Sequence, residues 1–168
     1  MSDYNRTTRE CFVSQLNPEL RQAIRRYFQE HKLGDLEAET IMCCETISTK
    51  RNFSKLVSLL KGVLDTTIHT GMLLTSHWLI WVRSGDRSGT HLAAAYLENI
   101  SVRESFSLLT QDVGLEVSGY LEDSKGRMRG YIAMGAEPAA QKFCDEVKQE
   151  IAKVKPPRQR GLPKWMGG

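Results

Sequence analysis

The sequence predicts a single α+β domain, a mostly antiparallel sheet closed off by a C-terminal helix. Three observations predict it. Residues 65–134 run as short segments rich in β-branched and aromatic residues, separated by turn residues. Residues 138–154 carry one apolar stripe at helical spacing. The chain has 168 residues, 40% apolar and 26% charged, which suits one packed core. A chain of that length buries roughly 70% of its extended surface and needs no disulfide staples.

The elements follow in order. Residues 1–16 show no clear period and are expected to form a flexible arm. A helix is expected over 17–33. Asn17 is a natural N-cap, Pro18 suits the first helical position, and Leu20, Ala23, Ile24, Tyr27 and Phe28 share one face. Gly34 is the expected residue just past its end. Thr40, Ile41, Thr46, Ile47 and Thr49 favour a strand over 39–49. Phe53, Leu56, Val57, Leu59 and Leu60 suit a short helical insertion over 52–61, ended by Gly62. Strands are then expected at 66–74, 78–83, 91–97, 100–108, 114–122 and 127–134. Ser84–Gly89 and Asp123–Gly126 are the hairpin turns among them, because Gly and Asp tolerate the backbone angles of tight turns.

The closing helix has the clearest pattern. Pro138 fits its first turn, and Ala140, Phe143, Val147, Ile151 and Val154 step by three and four residues. Pro156 and Pro157 stop it. About seven strands and one amphipathic helix thus precede a tail over 155–168.

No stretch of about 18 apolar residues exists, and the polar Met1–Arg9 lacks an apolar core, so the expectation is a cytoplasmic protein. Cys11, Cys43, Cys44 and Cys144 match no redox or zinc spacing and read as free thiols. Cys43 and Cys44, being adjacent on a strand, should face opposite sides, as should Trp78 and Trp81, three apart. The four histidines hold no helical metal spacing, although His69 and His77 could approach if their strands pair. No hydrolase elbow occurs. Gly85–Thr90 faintly resembles a phosphate loop, yet it lacks the lysine ending and leads into a strand. Glu98, Glu116, Glu122 and Asp123 read as solvated turn and strand charges. The expectation is therefore no catalytic residue, no metal and no cofactor.

The net charge of +3 is uneven. Of the 23 basic residues, Lys155, Arg158, Arg160 and Lys164 lie in the tail, which has no acid; that leaves 19 against 20 acids in the body. A near-neutral body argues against nucleic acid as its partner. The tail also holds three prolines and Trp165. It reads either as an extended docking arm or as a solvated terminus.

This order of elements resembles the pleckstrin-homology-like (PH-like) superfold and its bacterial GRAM-type members. The likeness is carried by Gly71–Val82, an apolar strand, a Thr-containing turn and a second apolar strand. Ala95–Val102 and the closing hairpin and helix from Gly126 carry the rest. It covers about residues 37–154. The resemblance implies a bent sheet or partly open barrel capped by the C-terminal helix. The N-terminal helix is additional, and is expected to cover an open end or edge of the sheet. Trp78 departs from the family, which often has a basic residue there. In lipid-binding members the connection between the first two strands often takes the anionic headgroup, and Lys50, Arg51, Lys55 and Lys61 fall in it here.

The resemblance implies a non-catalytic binding or scaffolding module engaging another protein, a peptide or a second copy of the chain. Peripheral association with an anionic membrane through the basic loop and tail is the alternative. Nucleic-acid association through Lys155, Arg158, Arg160, Lys164 and Trp165 is a third reading, and an enzyme of unfamiliar type a fourth.

Overall fold

A computed structural model describes residues 4–51, 65–108, 112–122 and 124–155. Five strands, β1 (Tyr4–Glu10), β2 (Met42–Lys50), β3 (Thr67–Leu74), β4 (Trp78–Gly85) and β5 (Gly89–Tyr96), form one antiparallel sheet in sequence order. Three more, β6 (Ile100–Phe106), β7 (Val113–Tyr120) and β8 (Arg127–Ala133), form a second antiparallel sheet. Helix α1 (Pro18–Glu30) and a single turn α2 (Leu36–Glu39) lie between β1 and β2, and α3 (Pro138–Val154) ends the described chain. The two sheets are separate and do not close into a barrel.

Why the middle strands read as continuous apolar runs is now plain. The five-stranded sheet is covered on both faces. On one face α1 packs Leu20, Ile24, Tyr27 and Phe28 against Cys43, Leu73, Trp78, Ile80, Val82 and Ala94. On the other, the small sheet and α3 bring Leu115, Val117, Ile132, Phe143 and Val147 onto Met42, Cys44, Met72, Leu74, Leu79 and Trp81. A strand buried on both faces loses the polar alternation of a half-solvated one. Trp78 and Trp81 face opposite sides as expected, and both are buried. Each fully buried large side chain contributes about 1.5–3 kcal/mol.

Strand β8 ties the layers together by running across the large sheet. Met128 lines a recess with Leu92, Ala93 and Ala94 of β5. Gly130 lies beneath Trp81 of β4, where a Cβ would come 2.8 Å from the indole. Gly135, just past β8, donates its N–H to Thr8 Oγ1 of β1 at 2.8 Å.

Four expectations are corrected. The supposed arm holds a strand: β1 pairs with β2 from Tyr4 opposite Lys50 to Glu10 opposite Cys44, so the strands among the described residues number eight. An edge strand bonded on one side can be polar, which is why YNRTTRE gave no signal. Helix α1 is shorter than the expected 17–33 and ends in a Schellman motif. The Leu33 and Lys32 amides donate to the Phe28 and Gln29 carbonyls at 3.0 and 3.3 Å. Lys32, with φ of 52°, occupies the left-handed position assigned to Gly34, which follows with φ of 97°. Helix α1 also covers a face of the sheet, contacting β3, β4 and β5, rather than an open end or edge. The strand expected from residue 39 starts at Met42, because α2 takes Leu36–Glu39. The helical insertion expected over 52–61 lies outside the described residues.

Candidate functional site

Among the described residues, the polar side chains that the fold buries tie elements to one another. Glu45 is 2% exposed and accepts from Arg9 Nη2 at 2.7 Å, with His69 Nδ1 at 3.2 Å on its other oxygen. It ties β1, β2 and β3 together on the face that carries α1. Ser84 Oγ donates to Glu19 of α1, and Thr90 Oγ1 donates to Ser84 Oγ at 3.1 Å. His69 sits opposite Ser84 in the ladder, whereas His77 lies in the turn at the other end of the β3–β4 hairpin, so the two histidines do not meet. His31 stacks on Tyr27, and His91 Nε2 lies 2.9 Å from the Ser88 carbonyl. Among the described residues no three His, Cys, Asp or Glu side chains gather to hold a metal.

The loop that resembles a phosphate site has its anion supplied from within. Asp65 Oδ1 accepts from the amides of Arg87 and Ser88 at 2.6 and 2.9 Å, and Oδ2 accepts from Ser88 Oγ at 2.5 Å. In return, Asp86 accepts from the Thr66 amide and hydroxyl. The β4–β5 turn is thereby clamped to the start of β3, and its amides are not available to a phosphate. Burial alone would push the Asp65 carboxyl up. The hydrogen bonds from Ser88 and Arg87 outweigh it and hold the group at about 2. An unfolded Asp titrates near 3.9, so this stabilisation is complete above about pH 4 and is lost as the pH falls to about 2. Asp65 is itself 4% exposed, and a charged acceptor of these bonds is expected to contribute about 1.5–3 kcal/mol. Urea melts at pH 7 should show Asp65→Ala less stable by about that amount, a gap that closes between about pH 4 and pH 2.

Two concavities among the described residues could hold a partner. One, of about 580 Å³, lies over the small sheet with Ser101, Arg103, Glu116, Ser118, Arg129 and Tyr131 around it. Its charges are partly spent on each other, since Arg103 grips Glu116 at 2.7 and 3.1 Å. The other, of about 370 Å³, runs between the sheets. Ser48, Ile68, Thr70, Trp81 and Ala93 form its floor, and Arg6, Arg83 and His91 give it a basic rim with no acidic side chain lining it. Arg6 also bonds Asp112 at 3.0 Å, and Arg83 lies 3.8 Å from Asp65.

One wall of this groove is an unpaired strand edge. Met134 donates to the Val113 carbonyl, so even-numbered residues of β8 bond β7, by the alternation of an antiparallel ladder. The amides and carbonyls of Arg129, Tyr131 and Ala133 therefore point away from β7. Among the described residues none of them has a backbone partner. Tyr131 and Ala133 line the groove.

Of the site residues singled out in the sequence, few reach this groove. Lys50 ends β2 opposite Tyr4, which lines the groove, and Arg51 Nε bonds Asn5 Oδ1. Lys55 and Lys61 lie outside the described residues. Lys155 Nζ donates to the Ile100 carbonyl at 2.5 Å, turning back onto β6. Arg158, Arg160, Lys164 and Trp165 lie outside the described residues. Arg6, Arg83, His91 and Tyr131 were missed. The one available signal was Arg83 opposite His91 in the β4–β5 hairpin. No described helix is long and apolar enough to cross a membrane. No family model, curated protein or solved structure matches the chain.

Proposed function

We propose that the chain is a non-catalytic binding module of PH-like type that takes an extended acidic segment of another protein into the groove between its sheets. The observation that carries this reading is the wall of β8. Unpaired amides and carbonyls at Arg129, Tyr131 and Ala133 can bond an added strand, while the basic rim favours carboxylates on it. The strand order supports the PH-like reading: a meander β2–β5, a second meander β6–β8, then the capping helix. In this view β1 and α1 are additions. They also account for Trp78 where the family often has a basic residue, because Trp78 packs between Tyr27 of α1 and Tyr96.

The test is fluorescence anisotropy with a labelled peptide alternating Glu and Val, against its Lys–Val counterpart. The acidic peptide should bind, weakening with salt. Ala133→Pro, which removes an outward N–H that β7 does not use, and Arg83→Glu should each weaken it at least about tenfold, a loss on the order of 1.4 kcal/mol. Absence of acidic-peptide binding at low salt, or binding indifferent to both changes, overturns the reading. Sedimentation with phosphatidylserine vesicles that is lost on changing Lys50, Arg51 and Lys55 to Ala would move the function to a membrane surface. A gel shift with single-stranded DNA lost on deleting residues 156–168 would move it to nucleic acid.

A further inference from the structure

The four cysteines divide between the two faces of the large sheet. Cys44 and Cys144 lie in the cluster under α3, and Cys43 and Cys11 lie in the cluster under α1. Cys11 is the residue after β1. Glu10 pairs with Cys44, and the Cys11 N–H donates to the Cys43 carbonyl at 3.0 Å, so Cys11 and Cys43 are directly opposed with side chains on one face. Opposed residues of antiparallel strands have α-carbons about 4.5–5.5 Å apart, inside the span of about 4.4–6.8 Å that a disulfide bridges. Cys43 is buried and Cys11 partly exposed, so of the two facing residues only Cys11 is open to a solute.

We propose that Cys11 and Cys43 are a redox modification site, at which a hydroperoxide oxidises Cys11 and Cys43 resolves the product as an intrachain disulfide. The Cys11 thiolate attacks one peroxide oxygen, the O–O bond breaks, and Cys11 sulfenic acid and hydroxide (or an alkoxide) form. The Cys43 sulfur then attacks the Cys11 sulfur. The S–S bond forms, the S–O bond breaks, and the leaving hydroxide takes the Cys43 proton away as water. Two electrons pass from the two thiols to the peroxide.

The surroundings assign the two roles. The hydrogen bond from Cys43 holds the Cys11 thiol below its ordinary value, against burial and the Glu45 and Glu10 charges and with help from Arg9. Cys43 is pushed up, first by its bond to Cys11 and then by burial, so it waits as a protonated resolving thiol. Burial pushes Cys44 and Cys144 up to about 12, and both lie on the opposite face of the sheet, where neither faces Cys11 as Cys43 does. The bridge would enclose α1 and α2 in a covalent loop and fasten β1 to β2.

The full-length protein is to be treated with hydrogen peroxide under native conditions. Intact mass should fall by about 2 Da and return with dithiothreitol. Peptide mapping should join Cys11 to Cys43, and the melting temperature should rise by about 5–10 °C. Cys43→Ser should instead leave Cys11 reactive towards dimedone, and Cys11→Ser should give no bridge. A mapped bridge to Cys44 or Cys144, no mass loss at peroxide levels that oxidise free cysteine, or a bridge formed only after urea unfolding would each overturn the proposal.

Discussion

Phe143→Asp is expected to leave the chain unfolded at 25 °C, with the far-ultraviolet circular dichroism of a coil and no melting transition. Phe143 has no exposed surface and sits in α3 at the centre of the cluster shared by both sheets. Truncating such a residue costs about 3–5 kcal/mol. The aspartate adds a charge with no partner in that cluster, a penalty of several kcal/mol more. The sum reaches the roughly 5–15 kcal/mol that a whole domain commands. Phe143→Leu, which keeps an apolar filling, should cost only about 1–2 kcal/mol and retain the fold. A Phe143→Asp melt matching the parent's would mean that α3 does not close the core.

The same residue explains why the architecture could be read so far from sequence. The stripe from Ala140 to Val154 is local information, and α3 has the boundaries its prolines dictate. Strands β3 and β4 were legible because burial on both faces selects unbroken apolar runs, Met72–Leu74 and Trp78–Val82. The covering of both faces was not, because periodicity says which side chains are buried and not what lies over them. Helix α1 has the same amphipathic pattern whether it caps an edge or roofs a face. Its docking on Gly71, whose missing side chain would sit against Leu20 and Val82, is a property of the assembled sheet.

The groove was hidden for a related reason. Arg6, Arg83 with His91, and Tyr131 come from three distant parts of the chain, joined only because β8 crosses the large sheet. No spacing encodes that crossing. The basic residues visible in sequence, Lys50 and Arg51, mark one end of it. Asp65 was equally invisible as a partner of the turn it clamps, more than 20 residues away. The faint phosphate-loop pattern was real as a nest of amides, and the fold fills it with its own carboxylate.

The strongest test of the misread N-terminus is Thr8→Val, which should destabilise the protein by about 2–4 kcal/mol and lower its melting temperature by about 5–15 °C. The substitution keeps the shape and raises strand propensity, so a residue in a loose arm would tolerate it without cost. Thr8 is instead 2% exposed. Its hydroxyl oxygen accepts from the Gly135 N–H at 2.8 Å and lies 2.7 Å from Thr46 Oγ1. Valine would leave both of those buried groups without their partner, and each such loss costs about 1–3 kcal/mol. The neighbouring bonds do not replace it. The Thr8 amide already donates to Glu137 Oε2, and a Cβ at Gly135 would come 2.6 Å from the Arg6 carbonyl, so the two segments pack closely there. Thr8→Ser preserves the acceptor and loses one methyl, so it should cost only about 1 kcal/mol. Equal stability of Thr8→Val and the parent in urea would detach β1 from the β8–α3 junction. The predicted ordering, parent above Ser above Val, makes the N-terminal strand the bolt between the first and last elements of the fold.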